Sequence, residues 1–402
     1  MSSNSTIWSD LAAHARLSFE QARMLPSASY TSTEVLAREH ERIFADEWIC
    51  VGRTADLPNR GDYLTALIPS GDGEGRSIIL LRGDDGAIAA FDNVCVHRGS
   101  PLLHGCGNEA RITCPYHAWV YRLDGQLIGA PYMNRTVDSS GKAFNPADHQ
   151  LTSLRLEQWE GFLFVTQSPD AKDLHSCLAG LTEVVGRYRM ANYVPVFRQV
   201  DVWDTNWKLL YENFMDAYHV FKVHKNSFAK DGDSTLDTTM HAGNDHYAHH
   251  VVVHQADAGS GVAHPANTSL TDEWRRTIVL AAAFPTHVMQ LQPDWLWYLQ
   301  LSPIGVGRVR IRWDVSIAPE VLADQADPDA YVADLLDLLN MVNAEDRPIV
   351  EGVFDALRPS MTRGPLSYLE RNVYDFDRYI AKKLGSGTNG HVLIESRKSS
   401  LT

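Results

Sequence analysis

At 402 residues and 44% hydrophobic content, the chain is long enough for two or three domains with sizeable cores. Its 36 Lys and Arg against 50 Asp and Glu give a formal charge of -14, which repels phosphate backbones and anionic lipid and argues against nucleic acid or membrane partners. Five cysteines in so long a chain argue against a disulfide framework, and neither a leader-like start nor a long apolar run is seen, so a cytoplasmic setting is expected.

Residues 1–45 are expected to be helical and to pack on the second half of the chain. Within them STEVLAREHERIFADEW offers a Ser/Thr cap ahead of an amphipathic run. From 46 to 167 the texture changes to short alternating segments such as RSIILLR and AIAAFDNV between Gly/Asp turns, the pattern of a small β domain. GDGEGR, Gly71 to Arg76, has the glycines of a phosphate cradle, but a strand-like segment follows where a helix is needed, so a hairpin turn is expected. Residues 168–385 form the last unit. NWKLLYENFMDAYHVFKVH reads as a helix there, and VVVHQA, RRTIVLAAAF, WLWYLQLSP and GRVRIRWDVSI read as strands of a second sheet. Two long helices, Ala330 to Leu357 and Ser367 to Leu384, close the chain before a frayed tail at 386–402. The fold class is therefore α+β: a small all-β domain followed by a helix-flanked, twisted antiparallel sheet.

The chemistry begins at Cys95, His97, Cys114 and His117, spaced C-x-H and C-x2-H. Thiolate with imidazole selects zinc or an iron–sulfur cluster. Structural zinc sites usually pair their cysteines as C-x2-4-C, whereas each loop here supplies one Cys and one His, which suits a Rieske [2Fe-2S] cluster. CVHRG and CPYHAWVY resemble the Rieske signature of non-haem iron oxygenases, with Gly99, Pro115, Tyr116 and Trp119 as matching neighbours. Ala118 departs from the Gly common in that family. Ser100 and Tyr116 stand where respiratory Rieske proteins carry an extra disulfide, so the resemblance points to the oxygenase branch. Cys50, Cys106 and Cys177 are expected to be buried structural thiols.

On a helical wheel Trp207, Leu210, Tyr211, Phe214, Ala217, Tyr218 and Phe221 form one apolar stripe, with Glu212, Asp216 and His219 together on another face. A solvated face with an Asp–His contact is the plain reading, but Leu209, Met215 and Val220 flank the patch and suggest a helix buried nearly all round, whose charges need a partner or a metal. His219 and His224 lie about 140° out of register on a regular helix, so the helix must loosen or end before His224 for both to reach one ion. Glu212, Asn213, Asp216, His219 and His224 match the family pattern E-N-x-x-D-x-x-H-x4-H. The resemblance implies that His219 and His224 bind a mononuclear Fe(II), and that Asp216 bridges an iron-ligand histidine to His117 of a neighbouring subunit. It also favours Asp346 as third ligand: Leu335, Leu339, Val342, Ile349, Val350, Val353 and Leu357 make a helical stripe with Asp346 at its centre and Glu345 pointing aside. The alternative is that Asp346 caps a helix whose first turn holds Pro348.

The histidines at 241, 246, 249, 250, 254 and 264 are irregularly spaced and are expected on a loop or strand surface, a substrate-pocket lid being the other reading. Trp203, Trp207, Trp274, Trp295, Trp297, Tyr298 and Trp313 crowd the second half. Alternation puts Trp295 and Trp297 on one sheet face and Tyr298 on the other. The resemblance implies the oxygenase component of a multicomponent Rieske oxygenase, assembled as a homotrimer. It takes electrons from NAD(P)H through a separate flavin/iron–sulfur reductase, with or without a ferredoxin, and uses O2 to hydroxylate a small organic substrate. Within the family, NWKLLYENFMDAYH and GPLSYLERNVYDFDRYI resemble the choline, carnitine and glycine betaine branch, so N-demethylation or C–N cleavage of a betaine-type compound is expected. Hydroxylation or O-demethylation of an aromatic acid is the alternative, and an electron-transfer protein without oxygen chemistry a remoter one.

Overall fold

The computed structural model describes residues 4–385 apart from 72, 74, 138–140, 231–233, 256–260, 359–360 and 362, so the expected tail lies outside the described residues. The N-terminal segment folds as α1 (Asn4–His14), α2 (Ala28–Thr31) and α3 (Thr33–Glu39). Ser32 caps α3 by accepting from the Val35 amide, and a wider turn at His40–Phe44 carries the chain on.

Ten strands follow: β1 (Ile49–Arg53), β2 (Asp62–Ile68), β3 (Arg76–Arg82), β4 (Ile88–Asp92), β5 (Cys106–Asn108), β6 (Ile112–Thr113), β7 (Val120–Tyr121), β8 (Leu127–Gly129), β9 (Ser153–Trp159) and β10 (Phe162–Thr166). Seven of them build an antiparallel sheet in the order β1-β10-β9-β4-β3-β2-β5, and β6, β7 and β8 form a small separate one. Ile68 pairs with Arg76, so the Gly-rich stretch between them is the loop of a hairpin. The unbroken apolar run of β3 has a physical reason. Ile78 and Leu80 enter the large core shared with the rest of the molecule, while Ile79 and Leu81 enter a second core with Cys95, Cys114 and Trp119.

After α4 (Leu174–Val185), β11 (Val194–Trp203) leads into α5 (Trp207–Met215) and α6 (Val220–Val223). The second sheet is completed by β12 (Thr238–Met240), β13 (Tyr247–Val253), β14 (Thr277–Ala283), β15 (His287–Leu291), β16 (Trp295–Gly305) and β17 (Arg308–Ile317), in the antiparallel order β11-β17-β16-β15-β14-β13-β12. The chain closes with α7 (Pro319–Ala323), α8 (Pro328–Ala356) and α9 (Arg371–Gly385), the last packing on α1. Pro348 lies inside the 29-residue α8, so Asp346 sits mid-helix and caps nothing. Of the predicted α8 stripe, Ile349 and Val353 are exposed. Among the described residues no helix is long and apolar enough to cross a membrane.

Ion pairs join the two sheets. Asp56, just after β1, bonds Arg198 of β11 and Arg312 of β17, and both arginines also bond the buried Asp314. Arg53 adds a hydrogen bond from Nη1 to Ser316 Oγ at 3.0 Å. A second buried pair, Lys208 Nζ to Glu39 Oε1 at 2.5 Å, ties α5 to α3, with the Trp207 indole donating to the other Glu39 oxygen at 2.9 Å. Burying two charges costs several kcal/mol each, so this contact fixes the position of α5 more than it adds stability.

Candidate active site

The two Cys-His loops are built alike. The Gly99 amide turns back to the Cys95 carbonyl at 2.9 Å, and the Ala118 amide turns back to the Cys114 carbonyl at 3.1 Å. Gly99 and Ala118, each four residues after its Cys, both adopt left-handed backbone with φ of 75° and 55°. That is why Gly is expected at the second position, and Ala118 occupies it at a conformational cost of about 1 kcal/mol. Cys95 and Cys114 are buried, and the rings of His97 and His117 lie with centroids 4.7 Å apart. His97 stacks on Trp119, and the Tyr121 hydroxyl lies 3.1 Å from Cys95 Sγ. Nδ1 of His97 and Nδ1 of His117 are both buried without a hydrogen-bond partner. Two buried sulfurs and two orphaned imidazole nitrogens, one of each from either loop, are a donor set that fits a Rieske cluster.

The second centre depends on a helix that stops. Asn206 caps α5, accepting from the Lys208 amide, and α5 ends at Met215 with Asp216 in extended conformation. The helix ends before His224, as the two histidines require if they are to reach one ion. It breaks eight residues earlier, at Asp216, whose Oδ1 accepts from the Tyr218 amide at 2.5 Å. Beyond the break the wheel no longer holds, and Tyr218 and Phe221 are exposed instead of joining the apolar stripe. Glu212 also leaves the group assigned to it: its Oε1 accepts from Tyr30 OH at 2.8 Å, and burial raises its carboxyl to about 8.

The break brings His219 and His224 together, Nε2 to Nε2 at 3.1 Å. Asp346 Oδ1 reaches in from α8, 3.5 Å from His219 Nε2 and 3.3 Å from His224 Nε2. The three ligand atoms lie within 4.8 Å of one another. On the outer edges, His219 Nδ1 faces Asp216 Oδ2 at 3.2 Å and His224 Nδ1 faces Glu345 Oε2 at 3.0 Å. Carboxylates accept from N–H, so each Nδ1 donates outward and each Nε2 turns to the common point, the orientation a metal requires. Burial opposes charge on His219, yet Asp216 and Asp346 outweigh it and raise the imidazole to about 10. Asp346 in turn is held down to about 2 by the two histidines, against its burial. Such a site demands positive charge at its centre, and the two-histidine, one-carboxylate set fits ferrous iron.

Glu345 is the main residue that sequence reasoning missed. It was expected to point aside, but it accepts from His224 Nδ1 and from Ser227 Oγ at 2.5 Å. Adjacent residues on a helix diverge by about 100°, and the imidazole of His224 is wide enough to be touched on both edges.

A cavity of about 690 Å³ opens beside this centre, bordered by His219, His224 and Asp346. Strand register makes its floor: His250, Leu280, Gln290 and Trp297 pair in one row across β13 to β16. Val252, Ile278, Gln292 and Trp295 line it from the next row. Tyr331, Asp334, Asp337 and Met341 of α8 face it from above, and Asp294 stands beside Trp295 at its edge. Tyr298 takes the opposite sheet face, donating to Asp314 Oδ2 at 2.5 Å, as alternation requires. Trp203, Trp207, Trp274 and Trp313 do not line this cavity.

Two further expectations are corrected. His249 and His250 are buried within β13, and His250, His254 and His264 line the cavity, so the tract is not a surface. Irregular spacing hid this because the residues come from a strand and two loops. Cys106 is exposed because β5 is the edge strand of its sheet, and only Cys50 and Cys177 are buried outside the loops.

Residues 47–153 match the Rieske [2Fe-2S] domain, and residues 185–386 match the ring hydroxylating alpha subunit (catalytic domain). The chain is 35% identical over 202 residues to the carnitine monooxygenase oxygenase subunit of Acinetobacter baumannii, covering 50% of this chain and 52% of that protein. It is 38% identical over 201 residues to the glycine betaine monooxygenase oxygenase subunit of Chromohalobacter salexigens, covering 50% and 43%. The chain thus spans about half the length of the curated relatives it matches. The crystal structure of the quaternary ammonium Rieske monooxygenase CntA with L-carnitine superposes with a TM-score of 0.75 at 25% identity, covering 93% of this chain and 98% of that one.

Proposed function

The chain belongs to the ring hydroxylating alpha subunit family, with a Rieske domain ahead of the catalytic domain, and on that premise we propose that it is the terminal oxygenase of a multicomponent system oxidising a quaternary ammonium or betaine-type compound at a carbon next to nitrogen. The observation that carries this reading is the cavity beside His219, His224 and Asp346. It joins Trp295, Trp297 and Tyr331 to Asp294, Asp334 and Asp337. Aromatic faces hold a methylated ammonium by cation–π attraction, worth roughly 2 kcal/mol when desolvated, and the carboxylates add a field of the right sign.

Cys95, Cys114, His97 and His117 would hold the cluster, and His219, His224 and Asp346 the ferrous ion. When bound, the cluster supplies single electrons and the ion supplies O2 activation. The chain's own residues do the rest. Asp216 and Glu345 keep the Nδ1 protons in place, and the aromatic wall orients the cation with a methyl or methylene toward the iron. Leu280, Ile278 and the two tryptophans give the cavity an apolar portion against which the substrate carbon can lie. Overall, substrate, O2, NAD(P)H and a proton give the carbinol, water and NAD(P)+, and the carbinol of an N-methyl group then loses formaldehyde and a proton to leave the amine.

The remaining assignments rest on the same reading. Electrons come from a separate NAD(P)H-dependent flavin/iron–sulfur reductase, with or without a ferredoxin, in the cytoplasm. Three subunits form a ring, so that Asp216 meets His117 of the neighbouring subunit. Exposed Tyr116 beside His117, and exposed Tyr218 and Phe221 beside His219, are apolar surfaces that such packing would cover, which supports it. The test is product analysis with a compatible reductase. Formaldehyde release matched to NAD(P)H and O2 consumption with a betaine-type substrate is expected. Tight coupling with an aromatic acid and none with any N-methyl compound would sink the reading.

A further inference from the structure

His250 lies in β13 on the cavity floor and takes no part in holding either metal centre as described above. Its protonation is fixed by a neighbour. Asn372 of α9 is fully buried, and its Nδ2 donates to the carbonyls of His249 at 3.0 Å and His241 at 3.3 Å. With both amide protons directed at carbonyl oxygens, the side chain can present only its Oδ1 to His250 Nδ1, 2.8 Å away. An amide oxygen accepts, so Nδ1 of His250 must donate. The ring is kept neutral, because burial pulls His250 down to about 4, against the Asn372 bond and Asp216. A neutral imidazole with its proton on Nδ1 has one lone pair left, on Nε2. Among the described residues that nitrogen has no hydrogen-bond partner, and the ring lines the cavity. Asp216, the carboxylate that acts on it, is itself an acceptor and offers it nothing.

We infer that His250 is a specificity residue whose Nε2 accepts a hydrogen bond from the substrate, so that the cavity prefers substrates carrying a donor. This inference rests on the function proposed above. A quaternary nitrogen has no N–H, so within that class the donor is a hydroxyl group. His250 presented in this form accepts, and gives nothing to a carboxylate or carbonyl oxygen. A ligand lacking the hydroxyl leaves a buried acceptor unmatched, which is how a buried polar group discriminates.

The experiment is calorimetric titration of the purified, metal-loaded protein with two matched pairs. L-carnitine is compared with γ-butyrobetaine, which differs by the hydroxyl alone, and choline with ethyltrimethylammonium. In at least one pair the hydroxylated compound should bind about fivefold to tenfold tighter, the effect of one neutral hydrogen bond. The O-methyl ether of the preferred compound, which keeps the oxygen and loses the donor, should fall to the affinity of the hydroxyl-free partner. His250→Phe should erase the preference. Equal binding within both pairs, an ether that binds as well as the alcohol, or a preference that survives in His250→Phe overturns the inference and leaves the betaine reading standing. Binding of none of the four compounds removes that reading and the inference together. Should His250→Phe fail to fold, the wild-type series with the ether decides alone.

Discussion

Glu345 is where a single substitution separates positioning from coordination. Its carboxylate does not border the point shared by the two histidine Nε2 atoms and Asp346, yet it accepts from His224 Nδ1 at 3.0 Å and from Ser227 Oγ at 2.5 Å. Glu345→Ala removes the group that keeps the proton on Nδ1, and the buried imidazole becomes free to place it on Nε2, where it competes with iron. Loss of such an outer partner lowers metal affinity about 10- to 100-fold, or roughly 1.4 to 2.7 kcal/mol. The assay is dialysis against graded concentrations of a ferrous chelator, followed by iron content and visible absorbance on the same samples. Iron should fall from about three to about two per chain at a chelator concentration about 10- to 100-fold below that needed for the unsubstituted protein, while the cluster's colour is unchanged. Glu345→Gln, which keeps an acceptor oxygen, should lie between the two. Equal iron retention in Glu345→Ala would refute the reasoning.

Cys95→Ser or His117→Ala should bleach the visible absorbance, whereas His219→Ala and Asp346→Ala should keep it and abolish turnover; an active His219→Ala protein with its full iron content would displace that site. Asp216→Asn should retain both metals but slow oxidation of the reduced cluster in a single turnover, and an unchanged rate would remove Asp216 from the electron path. Ala118→Gly should raise the thermal midpoint, with a gain of up to about 1 kcal/mol from relief of the left-handed backbone, and a lowered midpoint would count against that account. Burial lowers His249 to about 4 and His287 to about 3, so the folded protein takes up these protons later than the unfolded chain does. Their contribution to stability is therefore complete above pH 6.5 and lost as the pH falls toward 4, at up to about 1.4 kcal/mol per unit for each. Denaturant titrations at pH 7 and pH 5 should show the loss, and His287→Phe should reduce it.

The candidate metal-holding residues were legible because their chemistry is rare and their spacing short. Two Cys-His pairs 19 residues apart reveal a shared site before any fold is known. The long apolar run of β16 was equally plain, and the period of two in a strand placed Trp295 and Trp297 correctly opposite Tyr298. What escaped has a common cause: it depends on where an element stops or what lies across from it. The break at Asp216 is set by a side chain capping its own backbone two residues on, which a helical wheel does not represent. β11 was not anticipated because its outward face leaves Val194 and Val200 exposed, blurring the period. His250 became a cavity residue only through the register that aligns it with Leu280, Gln290 and Trp297.

Glu345 and Asp346 are neighbours in the chain that hold opposite edges of one imidazole, and they ride on a helix of 29 residues, about 43 Å long. Tyr331, near its start, borders the cavity about 22 Å along the axis from Asp346. A rod gripping a ring on two sides cannot slide or roll without changing both grips at once. A displacement of α8 at Tyr331 is carried to both grips, so that ligand geometry and proton placement at His224 form one mechanical setting rather than two.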